Sequence, residues 1–314
     1  MCRFNPKIFP LMSNIIEISG ITKTFGSYVA VDNLSLSVPE GSIYGFIGPN
    51  GSGKTTTIRM IMNILYPDEG SIRIFGERQT GSNITSIGYL PEERGLYRKM
   101  KLRELIQFHG ELKNVPNPGK EADYWLEKFD LTPWARKKVE TLSKGMSQKV
   151  QFIITIIDKP ALIILDEPFS GLDPVNAEVI REVILDLRKG GSTVIFSTHD
   201  MSVAEKMCDF IFMIYKGKKV LDGTLQSIKD QYGQDTILLQ TDLGASALQD
   251  IAGIERVNDF GQLQEVRLVP GTDPQKILEQ VILKSRISRF ELSSPSLEDI
   301  FIRIARPEKI NTHE

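Results

Sequence analysis

The sequence predicts an α/β core of parallel strands and helices, together with an antiparallel β-subdomain, a helical subdomain and a small α+β domain near the C-terminal end. Short, wholly apolar runs at residues 43–47, 161–165 and 194–196 each stop at a glycine or polar residue, as buried parallel strands do. Helical periodicity dominates residues 98–158, and strand-like segments alternate with helix-like ones after Gly223. The length of 314 residues exceeds what one hydrophobic core usually supports, which predicts two domains.

The N-terminal region predicts a short extension followed by the β-subdomain. Prolines interrupt the first residues, so we expect residues 1–13 to be a disordered extension, and Met12 is an alternative start of translation. An ordered pattern begins after this extension. Short β-like segments near residues 15–18, 29–38 and 72–75 predict an antiparallel sheet.

Residues 48–55 read Gly-Pro-Asn-Gly-Ser-Gly-Lys-Thr, a full match to the phosphate-binding pattern G-x-x-x-x-G-K-[ST]. The apolar run Ile43–Ile47 precedes this loop, and a helix with one apolar face follows it. Backbone N–H groups of the loop and the helix N-terminus attract phosphate, Lys54 supplies a positive charge, and Thr55 can ligate Mg²⁺. The motif therefore predicts ATP or GTP binding by a P-loop core. The predicted nucleotide-binding residues here are Gly48, Pro49, Asn50, Gly51, Ser52, Gly53, Lys54, Thr55 and Thr56.

Two acidic residues, Asp166 and Glu167, follow the apolar run Ala161–Leu165. A buried parallel strand delivers such residues at its C-terminal end, where ligands bind in α/β sheets. We expect Asp166 to hold Mg²⁺ directly or through water, and Glu167 to polarise the water that attacks the γ-phosphate.

A second candidate anion site lies at Leu142–Gln148, where a Ser-x-Gly sequence opens an apolar helix. An enzyme with a single nucleotide site has no use for two such helix starts. We therefore expect Ser143 and Gly145 to face a nucleotide held by a second copy, which implies a dimer. The alternative is that Ser143 is only a helix N-cap.

The order of these motifs resembles the ABC ATPase family, specifically the nucleotide-binding subunit of ABC transporters, over roughly residues 14–230. Residues 48–55 match its Walker A motif, 163–167 its Walker B motif with the catalytic glutamate, 142–146 its signature loop and 170–173 its D-loop. The resemblance implies that Asp173 of the D-loop lies near nucleotide, and that the helical subdomain, about residues 98–158, carries the signature loop.

Further roles come from the resemblance alone. It implies that His199 acts on the γ-phosphate as a catalytic residue beside Lys54 and Glu167, and that Phe25 stacks on adenine. Glu92 stands where the family usually has a glutamine, and since a carboxylate can also ligate Mg²⁺, we expect Glu92 to join Thr55 and Asp166 as a metal ligand. In the signature loop, Lys144 and Met146 replace a glycine and a glutamine, which predicts weaker or differently tuned contacts with the partner's nucleotide.

Residues 231–314 predict a C-terminal accessory domain with the order β-α-β-β-α-β, which is ferredoxin-like. Ser294 and Pro295 are expected to open its last helix as N-cap and first helical residue. Similar extensions occur in bacterial ATPases that resemble drug-export and sodium-extrusion types. Regulation, support of the dimer and a purely structural role all remain open for this domain.

Composition limits the other functions. Lys and Arg total 38 against 40 Asp and Glu, a formal net charge of -2, so no nucleic-acid partner is expected. Two cysteines are too few for a disulfide framework, which favours a reducing compartment. No run approaches the ~20 apolar residues of a spanning helix.

By resemblance, we expect a protein on the cytoplasmic, inner face of the membrane. Its expected partners are a second ATPase subunit, identical or different, and separate integral membrane permease subunits.

The sequence thus predicts an ATP-hydrolysing subunit that dimerises around two ATP molecules and powers transport, with export favoured by the resemblance. The alternative is a soluble ABC ATPase acting on ribosomes or DNA. Such proteins carry two cassettes or a long coiled coil, whereas this chain has one cassette and no long heptad run. A P-loop kinase would leave Ser143–Gln148 and His199 without a role.

Overall fold

The computed structural model describes residues 13–79, 86–93, 95–232 and 235–305. The chain divides into two compact units, Met1–Gly223 and Thr224–Glu314. Of the predicted extension at residues 1–13, only Ser13 lies within the described residues.

The first unit contains ten strands within its described residues. They are β1 (Asn14–Phe25), β2 (Tyr28–Pro39), β3 (Ile43–Ile47), β4 (Glu69–Ile74), β5 (Glu77–Arg78), β6 (Ile87–Leu90), β7 (Leu162–Asp166), β8 (Thr193–Thr198), β9 (Phe210–Tyr215) and β10 (Lys218–Thr224), the last of which ends at the unit boundary. The α-helices are α1 (Lys54–Ile61), α2 (Leu102–Leu112), α3 (Pro118–Lys128), α4 (Lys144–Ile156), α5 (Pro174–Lys189) and α6 (Met201–Met207).

The central sheet has six strands in the order β10-β9-β3-β8-β7-β6. Strands β9, β3, β8, β7 and β6 run parallel to their neighbours, so their carboxyl ends meet at one edge of the sheet. Every residue of β3, β7 and β8 is buried, which explains their continuous apolar sequences. The parallel core predicted from these three runs is confirmed, while β6 and β10 are strands that the sequence patterns do not reveal.

The β-subdomain is a four-stranded antiparallel sheet in the order β2-β1-β4-β5. In β1 and β2 buried and exposed residues alternate over much of their length, as expected when one face packs on a core and the other meets solvent. The two-residue turn at Gly26 and Ser27 joins them and pairs Phe25 with Tyr28. This sheet confirms the predicted β-subdomain and lengthens its first strand to Phe25.

Helices α2, α3 and α4 form the predicted helical subdomain. Ser143 is the N-cap of α4, where its hydroxyl accepts a hydrogen bond from the Met146 N–H at 3.2 Å. Asp173 caps α5 in the same way by accepting from the Asn176 N–H at 3.0 Å, with Pro174 as the first helical residue. No helix in the described ranges has both the length and the apolar character to cross a membrane.

The second unit contains four strands and three α-helices within its described residues. These elements are α7 (Leu225–Tyr232), β11 (Thr236–Thr241), β12 (Ile254–Asp259), β13 (Gln264–Leu268), α8 (Pro274–Lys284), β14 (Ile287–Ser293) and α9 (Leu297–Ala305). The strands form one antiparallel sheet in the order β12-β13-β11-β14. From β11 onward this is the ferredoxin-like arrangement, except that a 3₁₀ turn at Gly244–Leu248 stands in the place of the first helix.

The start of the second unit and the cap of its last helix differ from the sequence predictions. The unit begins at Thr224 and includes α7, whose Tyr232 ring lies under the Arg303 guanidinium, whereas the sequence places the boundary after residue 230. The predicted N-cap Ser294 is wrong. Ser296 caps α9 instead, because its hydroxyl accepts from the Asp299 N–H at 3.0 Å.

Candidate functional site

The loop between β3 and α1 has a backbone that requires glycine. Gly48, Gly51 and Gly53 all have positive φ, at 151°, 74° and 113°. A Cβ on Gly48 would lie 2.2 Å from the Ile214 carbonyl oxygen, and one on Gly53 would lie 2.7 Å from that of Ala30. The loop is therefore held tightly against its neighbours, and Gly53 is the N-cap of α1, so the helix has no side-chain cap. Its first N–H groups remain available to an anion.

Lys54 lies inside this loop. Its Nζ donates hydrogen bonds to the Gly48 carbonyl at 2.7 Å and the Pro49 carbonyl at 3.1 Å. Burial lowers the pKa of Lys54, and the nearby carboxylates of Glu167, Asp166 and Glu92, in decreasing order of effect, oppose that shift. The ammonium group is thus held by loop carbonyls and faces three acidic side chains.

A cavity of about 410 Å³ opens beside the loop. Its lining brings together nine of the predicted site residues, namely Phe25, Asn50, Gly51, Gly53, Lys54, Thr55, Thr56, Glu92 and Glu167. Tyr28 also lines it, and the Tyr28 hydroxyl donates to the Gly51 carbonyl at 3.2 Å. Phe25 and Tyr28 are 49% and 55% exposed, so this cavity has two accessible aromatic rings beside the glycine-rich loop between β3 and α1.

Sequence reasoning missed Tyr28. The available signal was the short hairpin itself, because a two-residue turn places the residues that flank it opposite each other. The turn therefore places Tyr28 beside Phe25, the aromatic residue that was predicted to line the site.

Asp166 ends β7 and is fully buried. Its Oδ1 accepts hydrogen bonds from the Thr55 hydroxyl at 3.3 Å and from the Ser197 hydroxyl at 2.5 Å. Its Oδ2 is buried and has no hydrogen-bond partner among the described residues. A buried carboxylate oxygen beside a threonine hydroxyl is the oxygen donor set that Mg²⁺ prefers, and a bound cation would satisfy the unpartnered oxygen. The residues present therefore fit Mg²⁺.

Glu167 follows with a left-handed backbone, φ 50°. Its N–H donates to the Ser197 hydroxyl oxygen at 2.9 Å, and its Oε1 lies 3.0 Å from Nδ1 of His199. The side chain of Glu167 is largely buried, whereas that of His199 is half exposed. The β7–β8 pairing, in which Asp166 lies opposite Ser197, brings these residues together although they are far apart in sequence.

Ser197 is a functional candidate to which the sequence analysis gives no role. One hydroxyl bonds both Asp166 and the backbone of Glu167, so it fixes two neighbouring acidic residues at once. A small polar residue at the end of an apolar strand is a weak signal. The role of such a residue depends on which strand lies next to its own, and strand order cannot be deduced from this segment of sequence.

Eight of the predicted residues do not line this cavity. Gly48, Pro49 and Ser52 belong to the loop beside it, and Asp166 and His199 contact its lining residues Thr55 and Glu167. The other three lie at helix starts. The lining of the cavity in the described part of the chain does not include Ser143, Gly145 or Asp173. Ser143 and Asp173 are exposed helix caps. The start of α4 instead contacts the loop that follows Glu167, since Gln148 Nε2 donates to the Pro168 carbonyl at 2.5 Å.

Glu92 lines the nucleotide-loop cavity and also a second cavity of about 560 Å³ beside the start of α4. Over residues 13–79, 86–93, 95–232 and 235–305, no group of three or more His, Cys, Asp and Glu side chains is arranged to hold a metal ion. Against the effect of burial, the Glu92 and Asp166 carboxylates both raise the pKa of Lys54, and the metal role of Glu92 stays a prediction.

The chain is similar to proteins of known family over most of its length. The ABC transporter family matches residues 31–170, and the family described as ATP-binding protein DrrA1-3-like, C-terminal domain, matches residues 223–305. The ABC transporter ATP-binding protein YhaQ of Bacillus subtilis (strain 168) is 42% identical over 92% of this chain and 97% of its own length. The bacitracin transport ATP-binding protein BcrA of Bacillus licheniformis is 30% identical over 93% of this chain and 98% of its own.

Solved structures give the same result for the fold. The structure of an ATP-binding subunit of an ABC transporter superposes with a TM-score of 0.64 at 28% identity, covering 70% of this chain and 93% of that one.

Proposed function

The chain belongs to the family of ABC transporter ATP-binding proteins, and we propose that two copies bind two ATP molecules between them and hydrolyse them to power export. It is the ATP-hydrolysing subunit of a transporter, which argues against the alternative of a soluble ATPase on ribosomes or nucleic acid. The observation that carries the proposal is the meeting of Lys54 and Glu167 at one cavity beside a glycine-rich loop, with Asp166 hydrogen-bonded to Thr55 of the same cavity.

In this proposal the phosphates of ATP occupy the loop. The uncapped N–H groups at the start of α1 bind phosphate oxygens, and Lys54 exchanges its carbonyl partners for the β- and γ-phosphates. Phosphoryl transfer depends on positioning and on neutralising charge, and a buried ammonium is effective because its charge is poorly screened.

Asp166 and Thr55 would hold Mg²⁺, with Glu92 as a further ligand. When bound, the ion neutralises charge on the phosphate oxygens. The unpartnered Oδ2 of Asp166 and the Thr55 hydroxyl support this assignment.

Glu167 would orient the attacking water and accept its proton. We propose that His199 holds the Glu167 carboxylate through Nδ1 in the absence of nucleotide and acts on the γ-phosphate once ATP is bound. The half-exposed ring of His199 is accessible for such a change of partner.

Phe25 and Tyr28 would flank the adenine base. Both rings are accessible in the cavity, and base stacking on an aromatic ring contributes about 1–3 kcal/mol per base. The hydrogen bond from the Tyr28 hydroxyl to the Gly51 carbonyl links this hairpin to the glycine-rich loop. It would therefore hold the adenine end and the phosphate end of the nucleotide site in a fixed relative position.

Ser143, Gly145 and Asp173 would complete the site of the second copy. All three lie at helix starts outside the lining of their own chain's cavity, and Ser143 and Asp173 are exposed, which supports a role across a dimer interface. The partner is either an identical or a related ATPase subunit.

ABC ATP-binding subunits pair with membrane permeases, and we propose that this one works on the cytoplasmic face of the membrane. Relatives named for bacitracin transport and daunorubicin resistance favour export.

Ser197→Ala is expected to lower ATP turnover about tenfold without reducing ATP affinity. The change removes the hydroxyl that orients Asp166 and the Glu167 backbone, while leaving both side chains in place. Phosphate release and nucleotide titration measure the two quantities. Ser192→Ala, which removes a buried hydroxyl that bonds the Pro160 carbonyl at 2.9 Å, is the matched control for general destabilisation. Equal losses of turnover in both variants would contradict a specific role for Ser197.

Co-purification tests the transport function. Tagged chain is expressed in its native host, membranes are solubilised in detergent, and the captured proteins are identified by mass spectrometry. We expect a polytopic membrane protein in a fixed ratio with the chain. Capture of ribosomal proteins or DNA-bound proteins in place of a membrane protein would contradict the proposal.

A further inference from the structure

The backbone around Glu167 is held on both sides. On the N-terminal side, the Glu167 N–H donates to the Ser197 hydroxyl at 2.9 Å. On the C-terminal side, Nε2 of Gln148 donates to the carbonyl of Pro168, the residue next to Glu167, at 2.5 Å. Between these two anchors Glu167 has a left-handed backbone, with φ 50°, a conformation that persists only where the surrounding contacts impose it.

We propose that Gln148 is a positioning residue for ATP hydrolysis, which holds Glu167 in place through the Pro168 carbonyl. Gln148 lies on α4, and the start of this helix is proposed to face the nucleotide of the second copy. The bond therefore ties the position of Glu167 to that helix. This inference rests on the proposed function, in which the Glu167 carboxylate orients the attacking water.

Stability alone does not favour a glutamine at this position. Gln148 is 1% exposed, and because a carbonyl oxygen only accepts hydrogen bonds, the amide nitrogen must face Pro168. The Oε1 atom of Gln148 is then buried with no hydrogen-bond partner among the described residues. An apolar side chain would avoid this unpaired oxygen but would remove the partner of the Pro168 carbonyl. Either choice costs one hydrogen bond, whereas only glutamine fixes the position of the Pro168 peptide.

Other contacts keep the loop after Glu167 in place. The Phe169 ring packs edge-on against the ring of Phe196 in β8, with 5.7 Å between ring centroids. A Cβ on Gly171 would lie 3.2 Å from Nζ of Lys144, so the loop also lies against the start of α4. Loss of the Gln148 bond should therefore displace Glu167 without unfolding the loop.

Gln148→Met tests the bond, because methionine has nearly the length and shape of glutamine but no N–H donor. We expect turnover to fall roughly tenfold with ATP affinity unchanged, since a small displacement of a reacting group slows the reaction without weakening nucleotide binding. Phosphate release and nucleotide titration measure the two quantities. A wild-type rate in Q148M would overturn the proposal.

Gln151→Met is the matched control. Gln151 is 8% exposed on the same helix, lines the same cavity of about 560 Å³ and also has a buried Oε1 without a partner over the described ranges. Unlike Gln148, its side chain makes no hydrogen bond to residues 167–172 in the part of the chain that the structure describes. We expect Q151M to keep the wild-type rate, and equal losses of turnover in Q148M and Q151M would overturn the proposal.

Combination with Glu167→Gln distinguishes positioning from general structural damage. A residue that acts through the Glu167 carboxylate has nothing left to position once that carboxylate is an amide, so the two effects should not add. In single-turnover hydrolysis of radiolabelled ATP, we expect Q148M/E167Q to react within about twofold of E167Q alone. A further loss of about tenfold in the double variant would overturn the proposal.

Gln148→Asn provides a second variant that keeps a polar amide. Its side chain is one methylene shorter, which withdraws the amide from the Pro168 carbonyl, so we expect the same loss of turnover. Undiminished turnover in Q148N would count against the proposal, and circular dichroism verifies that each variant is folded. Normal hydrolysis by E167Q alone would refute the proposed function itself, whereas a normal rate in Q148M beside an impaired E167Q would refute only the role of Gln148.

Discussion

Glu167→Gln is expected to lower steady-state ATP hydrolysis by roughly 10²-fold or more while leaving ATP binding intact. The amide has nearly the shape of the carboxylate and retains the backbone bond to Ser197, but it cannot accept the proton of the attacking water. Phosphate release measures hydrolysis, and titration with a fluorescent ATP analogue measures binding. Glu178→Gln, at an exposed glutamate of α5 that pairs with Arg181, is the matched control and should leave both unchanged.

The same variant should accumulate the ATP-bound dimer, because closure occurs and the reaction that ends it does not. Analytical ultracentrifugation with and without ATP measures this. If purified E167Q hydrolysed ATP at the normal rate, Glu167 would not be the residue that activates water. If E167Q stayed monomeric with ATP bound at high protein concentration, the shared site would be wrong.

Two inactive variants are expected to restore activity when mixed. Lys54→Ala removes the buried charge that is proposed to bind phosphate and should lower turnover by about 10²-fold or more. Ser143→Asp retains a good N-cap for α4 but places a negative charge where the partner's phosphates are proposed to lie, and should be similarly impaired. Each homodimer then has two defective sites.

In the mixed dimer both changes fall on the same nucleotide site, so the other site combines a normal loop with a normal helix start. Random mixing makes about half of the dimers mixed, each with one intact site, so we expect up to about a quarter of the wild-type rate. Ser143→Asn, which keeps the cap without the charge, is the control and should lose much less activity. A mixture as inactive as its components would contradict a site shared between copies.

The parallel core could be predicted because a strand that is buried on both faces has a continuous apolar sequence. The apolar runs before Gly48 and Asp166 are typical of strands without an exposed face. These runs form β3 and β7, in which every residue is buried. The loop motif was equally specific, since its glycines are required by the positive φ angles of the backbone. Local geometry and short motifs were therefore readable from the sequence.

Contacts between distant segments were not readable. Ser197 gains its role only because β8 pairs with β7 in a register that sets it opposite Asp166, and strand neighbours are a property of topology. The C-terminal unit shows a second limit. Strand β14 has exposed residues on both faces, so it lacks the alternation that marks a half-buried strand, and its position was not predicted.

The left-handed backbone of Glu167 has a consequence for engineering. Such a conformation costs about 1–3 kcal/mol for a residue other than glycine, and in the proposed mechanism it aims the carboxylate at the attacking water. Relieving that strain with glycine would make the fold more robust and the enzyme inert. Screens that select variants of this protein by thermal tolerance alone would therefore favour loss of catalysis at this position.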